Sequence, residues 1–310
     1  MSSKDGNDRV QLDPRIDLFA GAVAGIAALI VGFPFDTVKV RLQSPEVASR
    51  YRSTFHAFTT IVREERIRGL FRGITSPLLT MAPLNGVVFA SYRFLLKLQL
   101  DKPDVKPTLT QVTLAGMGCG LLASIVTSPT ELIKIQQQTM IVPKSGVAPT
   151  VQDVARHIYR TRGIRGLFRG LVPTGIREMG YGAYFGVYEG TLALYSRLSR
   201  PHHTYAPVGS EGIVAQEPHP YWALLLAGGM AGPASWLVTF PFDVVKTRVQ
   251  SVVAPGPDHP YRTVLSTIVN SYRKEGLMVF FKGLQPTMLR AIPVNMVTFA
   301  TFEAVVRAMT

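Results

Sequence analysis

One pattern of charged residues occurs three times in the chain: a proline, an acid two residues later, a lysine three residues after the acid, and a glutamine four residues after the lysine. The acids, lysines and glutamines are Asp36, Lys39 and Gln43, then Glu131, Lys134 and Gln138, then Asp243, Lys246 and Gln250. An acid and a lysine three residues apart lie on one face of a helix. If three copies surround an axis, each acid can pair with the lysine of a neighbouring copy, and the resulting ring would close one end of a central path. The alternative is three exposed pairs within single helices, worth about 0.2–0.5 kcal/mol each.

A second charged feature interrupts stretches that are otherwise largely apolar. One arginine lies in the interior of each stretch: Arg93 in 75–99, Arg177 in 172–196 and Arg290 in 285–307, whose last residue is a further arginine. An arginine near the middle of a bilayer costs roughly 2.5–3.5 kcal/mol. We therefore expect these side chains to face a shared, hydrated interior, together with three acids, Glu178, Glu189 and Glu303. Interhelical ion pairs without a ligand are the alternative for Arg177 and Arg290, and Arg93 could instead extend to the membrane interface.

Long uncharged windows precede each acid–lysine pattern and identify the elements that carry it. Residues 18–35, 107–130 and 218–242 contain no Asp, Glu, Lys or Arg, and about 20 apolar residues are enough to cross a bilayer as a helix. A soluble helical solenoid would need polar residues at helical period, which these windows lack. With the three interrupted stretches as partners, the sequence predicts an all-α membrane protein with six transmembrane helices. Glycines four residues apart in each window, such as Gly21 and Gly25, predict close helix packing.

Internal repetition divides the chain into three tandem copies of about 100 residues. The heptapeptide IRGLFRG occurs at 67–73 and again at 164–170, and a diverged version, EGLMVFFKG, occupies 275–283. The proline of each charged pattern lies 39, 41 and 42 residues before the glycine that ends this phrase. The predicted division is an N-terminal tail at 1–14, copies at 15–105, 106–200 and 219–310, and a flexible connector at 201–218.

Composition and charge agree with a membrane protein. Apolar residues make up 47% of the chain and charged residues 17%, below the roughly 25% of soluble domains. The net charge of +13 favours an acidic lipid surface or an acidic ligand. The segments 39–74, 134–170 and 246–283 hold 21 of the 33 Lys and Arg residues, so they should share one side of the membrane and both termini the other. A single cysteine excludes an internal disulfide, and the first 14 residues resemble neither a secretory signal nor a transit peptide.

The triple charged pattern, with the aromatic-basic-glycine phrase after each copy, resembles the mitochondrial carrier family over essentially the whole chain, and most of all its amino acid and carnitine–acylcarnitine members. The resemblance implies threefold pseudosymmetry, one central site, alternating access, and a place in the mitochondrial inner membrane with both termini in the intermembrane space. It implies a matrix gate formed by the pairs Asp36–Lys134, Glu131–Lys246 and Asp243–Lys39. It also implies that three glutamines brace this gate: Gln43, Gln138 and Gln250.

The repeated phrases also acquire a role from the resemblance. In the family, short amphipathic helices lie along the matrix surface, and the phrase after each resembles the cardiolipin-binding motif, in which backbone N–H groups hold lipid phosphate. The residues concerned are Arg72 and Gly73, Arg169 and Gly170, and Lys282 and Gly283. The alternative is a turn with an aromatic interfacial anchor and no bound lipid.

Several positions depart from the family pattern. Gln136 replaces the arginine found in the other two copies, Arg66 occupies a position where glycine is usual, and Arg162 one where an acid is usual. The second network, expected on the intermembrane side, would consist here of Arg93, Tyr188, Glu189, Phe302 and Glu303. Leucine and valine occupy its basic positions, so we expect a weak gate in which Arg93 contacts Glu189 or Glu303.

Adjacent Arg177 and Glu178 indicate a zwitterionic cargo. In the family, an Arg–acid pair at this contact site accompanies amino-acid and carnitine-type substrates. Arginine can hold a carboxylate through two hydrogen bonds, and glutamate can receive the cationic nitrogen. Arg290 matches a further contact, and the uncharged contacts of the first copy are expected at Met81 and Asn85.

The resemblance therefore implies a transporter and not an enzyme, with an amino acid, in some members a basic one, or a carnitine ester as cargo. Two alternatives remain: a carboxylate carrier, in which a shift of one residue puts Ile176 and Arg177 at the contact, and a proton-leak protein. Structural cardiolipin is the only bound group expected; no cofactor, metal or nucleic acid is expected, and the chain should be a monomer. The sequence has no nucleotide-binding loop and no metal-spaced cluster.

Overall fold

All secondary structure in the described part of the chain is helical. The computed structural model describes residues 14–100, 108–142, 146–178, 191, 194–195, 237–252, 256 and 259–309. Its helices are α1 (Pro14–Gln43), α2 (Thr54–Leu70), α3 (Thr75–Gln99), α4 (Leu109–Thr139), α5 (Val151–Leu167), α6 (Leu171–Glu178), α7 (237–251), α8 (Val264–Glu275) and α9 (Leu284–Met309). Short 3-10 helices lie at Ala48–Arg50 and Leu277–Phe281. The all-α prediction is confirmed for these residues, while nearly all of the predicted tail and the whole connector lie outside them.

Four described helical segments are long and apolar enough to cross a membrane: Leu18–Gln43, Thr75–Gln99, Thr110–Thr139 and Leu277–Met309. Large apolar side chains such as Ile30, Phe89 and Phe299 are exposed on them, as suits helices whose outer neighbour is lipid. The other two predicted spans extend into residues outside the described part. Within the described part, α6 and α7 are the helices that belong to them.

Neighbouring helices bring the two ends of the chain together. Helix α1 packs against α9, α3 packs against α4, and α4 also packs against α6. In each of the two glycine pairs that the structure describes, one glycine takes part in this packing and the other does not. An added Cβ would lie 2.9 Å from Glu178 Cβ at Gly120 and would touch Met81 at Gly25, whereas Gly21 and Gly116 have nothing within 4 Å. The third pair lies outside the described residues.

Short helices α2, α5 and α8 dock on the ends of the helices before them. Helices α5 and α8 begin with capping boxes, because Thr150 and Thr263 each accept a bond from the third backbone N–H, which stabilises the first turn. Val154 and Ile158 of α5 are buried against α4, as the amphipathic pattern predicts.

Each of these helices reaches a left-handed residue seven positions before the glycine of its phrase. The three residues are Arg66 (φ 61°), Gly163 (φ 63°) and Gly276 (φ 73°). Arg66 is the only non-glycine residue with positive φ in the described part of the chain. With ψ −174°, Arg66 lies in an extended positive-φ region that is essentially restricted to glycine, which costs of order 1–3 kcal/mol, so the unusual arginine of the sequence occupies a strained backbone position.

Candidate functional site

Three ion pairs join α1, α4 and α7 at the end of their apolar segments. Lys134 Nζ lies 2.8 Å from Asp36 Oδ2, Lys39 Nζ lies 2.5 Å from Asp243 Oδ2, and Lys246 contacts Glu131. All three pairs link different copies of the repeat, which is the arrangement that the sequence predicts. Their side chains are 2–27% exposed, so the attraction is screened less than in a surface pair. The pairs are in contact in this structure; their action as a gate remains a prediction.

Aromatic rings support two of the ring lysines. Lys39 Nζ lies 5.4 Å from the centre of the Phe240 ring, and Lys134 Nζ lies 4.9 Å from the centre of the Phe33 ring. Both distances are within the range of cation–π attraction. Each phenylalanine directly precedes the proline of its own copy, so the same short motif supplies an acid, a lysine and a ring for the neighbouring lysine.

The glutamines that lie four residues after each ring lysine form hydrogen bonds with groups outside the ion-pair ring. Gln43 Nε2 donates to Lys282 O at 2.9 Å, Gln250 Nε2 to Arg169 O at 3.2 Å, and Gln138 Nε2 to Thr37 Oγ1 at 3.1 Å. Their amide oxygens are buried, and none has a hydrogen-bond partner among the described residues. The amides therefore tie each helix end to a neighbouring copy, and a direct brace on the ion pairs remains a prediction.

Both predicted contact arginines reach the acids of the ring. Arg177 contacts the adjacent Glu178, and its terminal nitrogens lie 3.5 Å from Glu131 Oε1 and 3.5 Å from Asp243 Oδ1. Arg290 Nη1 lies 3.3 Å from Asp36 Oδ1. Each acid thus meets one lysine and one arginine.

The geometry bears on the uncertain register of the second copy. Arg177 and Arg290 both lie seven residues after the glycine of their phrase, and both reach ring acids. The two arginines are therefore structurally equivalent, which favours Arg177 with Glu178 as the pair over Ile176 with Arg177.

A cavity of about 420 Å³ lies directly beside this ring, between α1, α3, α4 and α9. Arg290, Glu131 and Lys134 form its charged end, and Thr80 with Met81 contribute from α3. Arg177, Glu178 and Asn85 do not line it, and Asn85 is exposed elsewhere on α3. The structure thus brings Met81 and Arg290 to one cavity and leaves Asn85 outside it.

The residues predicted for the second gate are not joined in the described part of the chain. Arg93 is exposed, Phe302 is half-buried, and Glu303 pairs with Arg307 one turn later on α9. Tyr188 and Glu189 lie outside the described residues. Arg93 and Glu303 are not in contact in this structure, and Glu303 contacts Arg307 on its own helix instead; the i,i+4 spacing of that pair was its signal in the sequence.

The basic residues of two phrases bond within the protein. Arg72 Nη1 donates to Met140 O at 2.6 Å, and Arg169 donates to Val252 O at 2.6 Å and to Tyr261 O at 2.8 Å. Burial lowers the pKa of the Arg72 guanidinium; burial, and then the nearby charge of Arg162, lowers the pKa of Arg169 to about 10. These guanidinium groups satisfy carbonyls beyond the last turn of the next copy's helix, whereas Lys282 contacts Glu275.

Sequence reasoning missed a buried charge network behind the ring. Arg41 is fully buried and makes a paired contact with Glu65, which also lies 2.6 Å from Arg72. Arg248 contacts Glu275 at 2.6 Å in the third copy. The corresponding positions of the second copy are Gln136 and Arg162. These two departures from the family pattern therefore occupy the positions at which the other copies form a buried arginine–glutamate pair.

Comparison with known proteins adds to this geometry. The family model described as mitochondrial carrier protein matches the chain three times, over residues 11–103, 105–199 and 217–310. A protein of Bos taurus named mitochondrial basic amino acids transporter is 40% identical over 295 residues, covering 94% of this chain and 91% of the relative. Its namesake in Homo sapiens is 39% identical over 296 residues, covering 94% and 89%. Mitochondrial substrate carrier family protein L of Dictyostelium discoideum is 31% identical over 311 residues, covering 99% and 98%.

Proposed function

We propose a cargo and a mechanism for this chain, which belongs to the mitochondrial carrier family and is therefore a transporter and not an enzyme. The family also indicates a multi-pass protein of the mitochondrial inner membrane. The proposed cargo is a small zwitterion, with an amino acid that has a basic side chain as the first choice and a carnitine ester as the second. The observation that carries the proposal is the pair Arg177 and Glu178, placed beside the ring acids with Arg290 at the same level.

The charges suit the two ends of a zwitterion. A carboxylate can take two hydrogen bonds from a guanidinium, and both Arg177 and Arg290 are 29–33% exposed and therefore accessible to a solute. A cationic nitrogen can pair with Glu178, whose side chain is 19% exposed. The relatives named basic amino acid transporters support this cargo.

Alternating access follows from competition for the arginines. In this structure Arg177 lies 3.5 Å from two ring acids, Glu131 and Asp243. A cargo carboxylate that binds Arg177 would draw it away from those acids and leave each with its lysine alone. Ligand binding shifts an equilibrium only through such a difference between states. Six membrane helices in threefold pseudosymmetry, opening alternately at the ring and at the opposite end, complete the mechanism we propose.

The test is exchange in reconstituted liposomes with labelled amino acids, carnitine esters, carboxylates and nucleotides. Arg177→Gln should cripple uptake of every cargo with a free carboxylate. Glu178→Gln should chiefly harm cargo with a cationic nitrogen. Losing one charge-assisted contact to a buried ligand costs about 2–5 kcal/mol, so the exchange rate of each variant should fall by more than about tenfold.

Matched controls come from an exposed pair on the surface helices. Arg50 Nη2 lies 2.9 Å from Glu64 Oε2, and both side chains are about 40% exposed. Arg50→Gln and Glu64→Gln remove the same charges and should leave exchange unchanged. Normal exchange of amino acids and carnitine by Glu178→Gln would refute the zwitterion and favour a carboxylate carrier with Ile176 and Arg177 at the contact. Proton conductance without any solute would instead favour a leak function.

The proposed orientation can be checked by surface labelling. Both termini should face the intermembrane space, so single cysteines near positions 5 and 210 should react from one side of inner-membrane vesicles. Cysteines near 50 and 257 should react from the other side. Cys119 must be replaced first, because it is the only native thiol. Labelling of 50 and 210 from the same side would contradict the six-helix arrangement.

We also propose cardiolipin at the phrase turns and a monomeric protein. Because Arg72 and Arg169 already bond to protein carbonyls, lipid phosphate would be held by backbone N–H groups at the starts of α3, α6 and α9. Native mass spectrometry of the purified protein would report both bound lipid and mass of the assembly. Spectra without cardiolipin, from protein extracted in mild detergent, would contradict the lipid proposal.

A further inference from the structure

Gly32 is buried on α1 where the side chain of Arg290 crosses the helix. A Cβ added at this glycine would lie 2.6 Å from Arg290 Nε and 3.3 Å from Arg290 Nη2. It would also lie 3.0 Å from Val294 Cγ2. At 2.6 Å a carbon and a nitrogen cannot coexist, so any larger residue at position 32 must displace the guanidinium.

The glycine also has a fixed relation to the ion-pair ring. Gly32 and Asp36 are four residues apart, so they lie on one face of α1. Arg290 crosses that face at Gly32 and places Nη1 3.3 Å from Asp36 Oδ1. Asp36 meanwhile contacts Lys134 at 2.8 Å. In this structure Arg290 therefore occupies the space left by the missing side chain at position 32 while it lies along α1 and contacts the ring.

The same position differs in the second copy, in agreement with this reasoning. Position 32 lies two residues before the proline of its copy, and the equivalent residue of α4 is Thr127. The helix that packs on α4 is α3, and its residue equivalent to Arg290 is Thr80, seven residues after Gly73. Where no guanidinium crosses the helix, a side chain is accommodated. In the third copy the equivalent residue is Thr239, and Arg177 approaches Asp243 there at 3.5 Å, so the close passage over a glycine is a feature of Arg290 and α1 and not of every arginine that reaches the ring.

We propose that Gly32 is a positioning residue for transport, acting through Arg290. Its lack of a side chain sets the guanidinium at the height where it contacts Asp36 in this structure and would meet the carboxylate of a bound cargo. This inference rests on the proposed function, because it takes Arg290 to be a cargo contact. A misplacement of a positioned group by about 1 Å can cost two orders of magnitude in rate, so a single methyl group should have a measurable effect.

The experiment is a double-mutant cycle on cargo exchange in liposomes. Gly32→Ala should raise the KM for a basic amino acid about tenfold or more. In an Arg290→Gln background the same substitution should change KM less than about twofold, because the group through which it acts is gone. In an Arg290→Lys background the effect should be intermediate, since an unbranched lysine can bend away from a methyl group. Gly21→Ala is the matched control, because this glycine of the same helix has nothing within 4 Å.

The outcomes separate this inference from the proposed function. Equal increases in KM with Arg290 present and absent would overturn the inference, because the methyl would then act on the helix itself. If the wild-type protein exchanges no amino acid or carnitine ester, the proposed function fails, and the cycle is measured on unfolding temperature instead. Loss of the Gly32→Ala effect in the Arg290→Gln background would then support the contact, and its persistence would overturn it. If Gly32→Ala does not fold, Val294→Ala provides room for the methyl while the clash with Arg290 remains.

Discussion

Replacing Arg66 with glycine should stabilise the protein. Arg66 has φ 61° and ψ −174°, and the equivalent residues of the other copies are glycines in nearly the same conformation. Its side chain is exposed. Relief of the positive-φ conformation should gain about 1–3 kcal/mol, and the greater freedom of glycine in the unfolded chain should offset about 0.4–1 kcal/mol of that.

The expected net gain is therefore about 1 kcal/mol, within a range of about 0–2.6 kcal/mol, or about 1–2 °C in unfolding temperature for a chain of this size. The assay is thermal unfolding in detergent or in nanodiscs. Arg66→Ala is the charge control, because it removes the same guanidinium but keeps a Cβ in the left-handed conformation, and it should not stabilise. Gly163→Ala is the reverse control: nothing lies within 4 Å of the added Cβ, so its expected destabilisation would come from the backbone alone. Equal gains from Arg66→Gly and Arg66→Ala would refute the backbone argument and assign the effect to charge.

Two further predictions concern charge pairs. Lys39→Glu would put two carboxylates where Lys39 and Asp243 now lie 2.5 Å apart, so the exchange rate should fall by more than about tenfold. Asp243→Lys in the same chain should recover part of that rate. No recovery in folded protein would contradict the pairing. Gln136→Arg alone would bury a charge without an acid partner and should lower the unfolding temperature, whereas adding Arg162→Glu should restore most of it; a double variant no more stable than the single one would contradict this reading of the second copy.

The ring was predictable because its geometry is local and repeated. An acid and a lysine three residues apart share a helix face whatever surrounds them, and three copies leave few ways to arrange them. The sequence also predicted that Arg177 and Arg290 face a polar interior, since a charge on an apolar membrane helix is costly in contact with lipid, but it did not predict that they contact the acids of the ring.

Contacts that depend on how short elements dock were not predictable. The pair of Arg41 with Glu65 joins residues 24 apart, and it exists only because α2 docks on the end of α1. The guanidinium of Arg169 points to Val252 and Tyr261, which depends on where the next copy ends. Spacing alone also could not show that Gly25 touches α3 while Gly21 touches nothing within 4 Å.

The missing pair of the second copy changes what holds the end of α4. In the first and third copies a buried arginine ties the long helix to the short helix that follows it. In α4 that position is Gln136, whose side chain instead donates to Gln250 O of the third copy. The last carbonyls of α4 accept bonds from the first copy, Gln138 O from Arg41 and Met140 O from both Arg41 and Arg72.

The end of α4 is therefore held largely by its two neighbours, and to its own α5 it is joined by apolar contacts of Leu132 and Ile133. In the proposed mechanism, opening of the ring would separate α4 from those neighbours, and the bonds at 136, 138 and 140 connect the same helices as the ion pairs of Glu131 and Lys134. Hydrogen bonds and ion pairs across one interface would then break together. Gln136 would thus contribute between two copies, where the arginines at the same position of the other copies also bind an acid of their own repeat. Replacing Gln136 by arginine together with Arg162→Glu would exchange the bond of Gln136 to Gln250 O for a contact within the second copy, so it should ease opening of the ring, which faster exchange in liposomes would show.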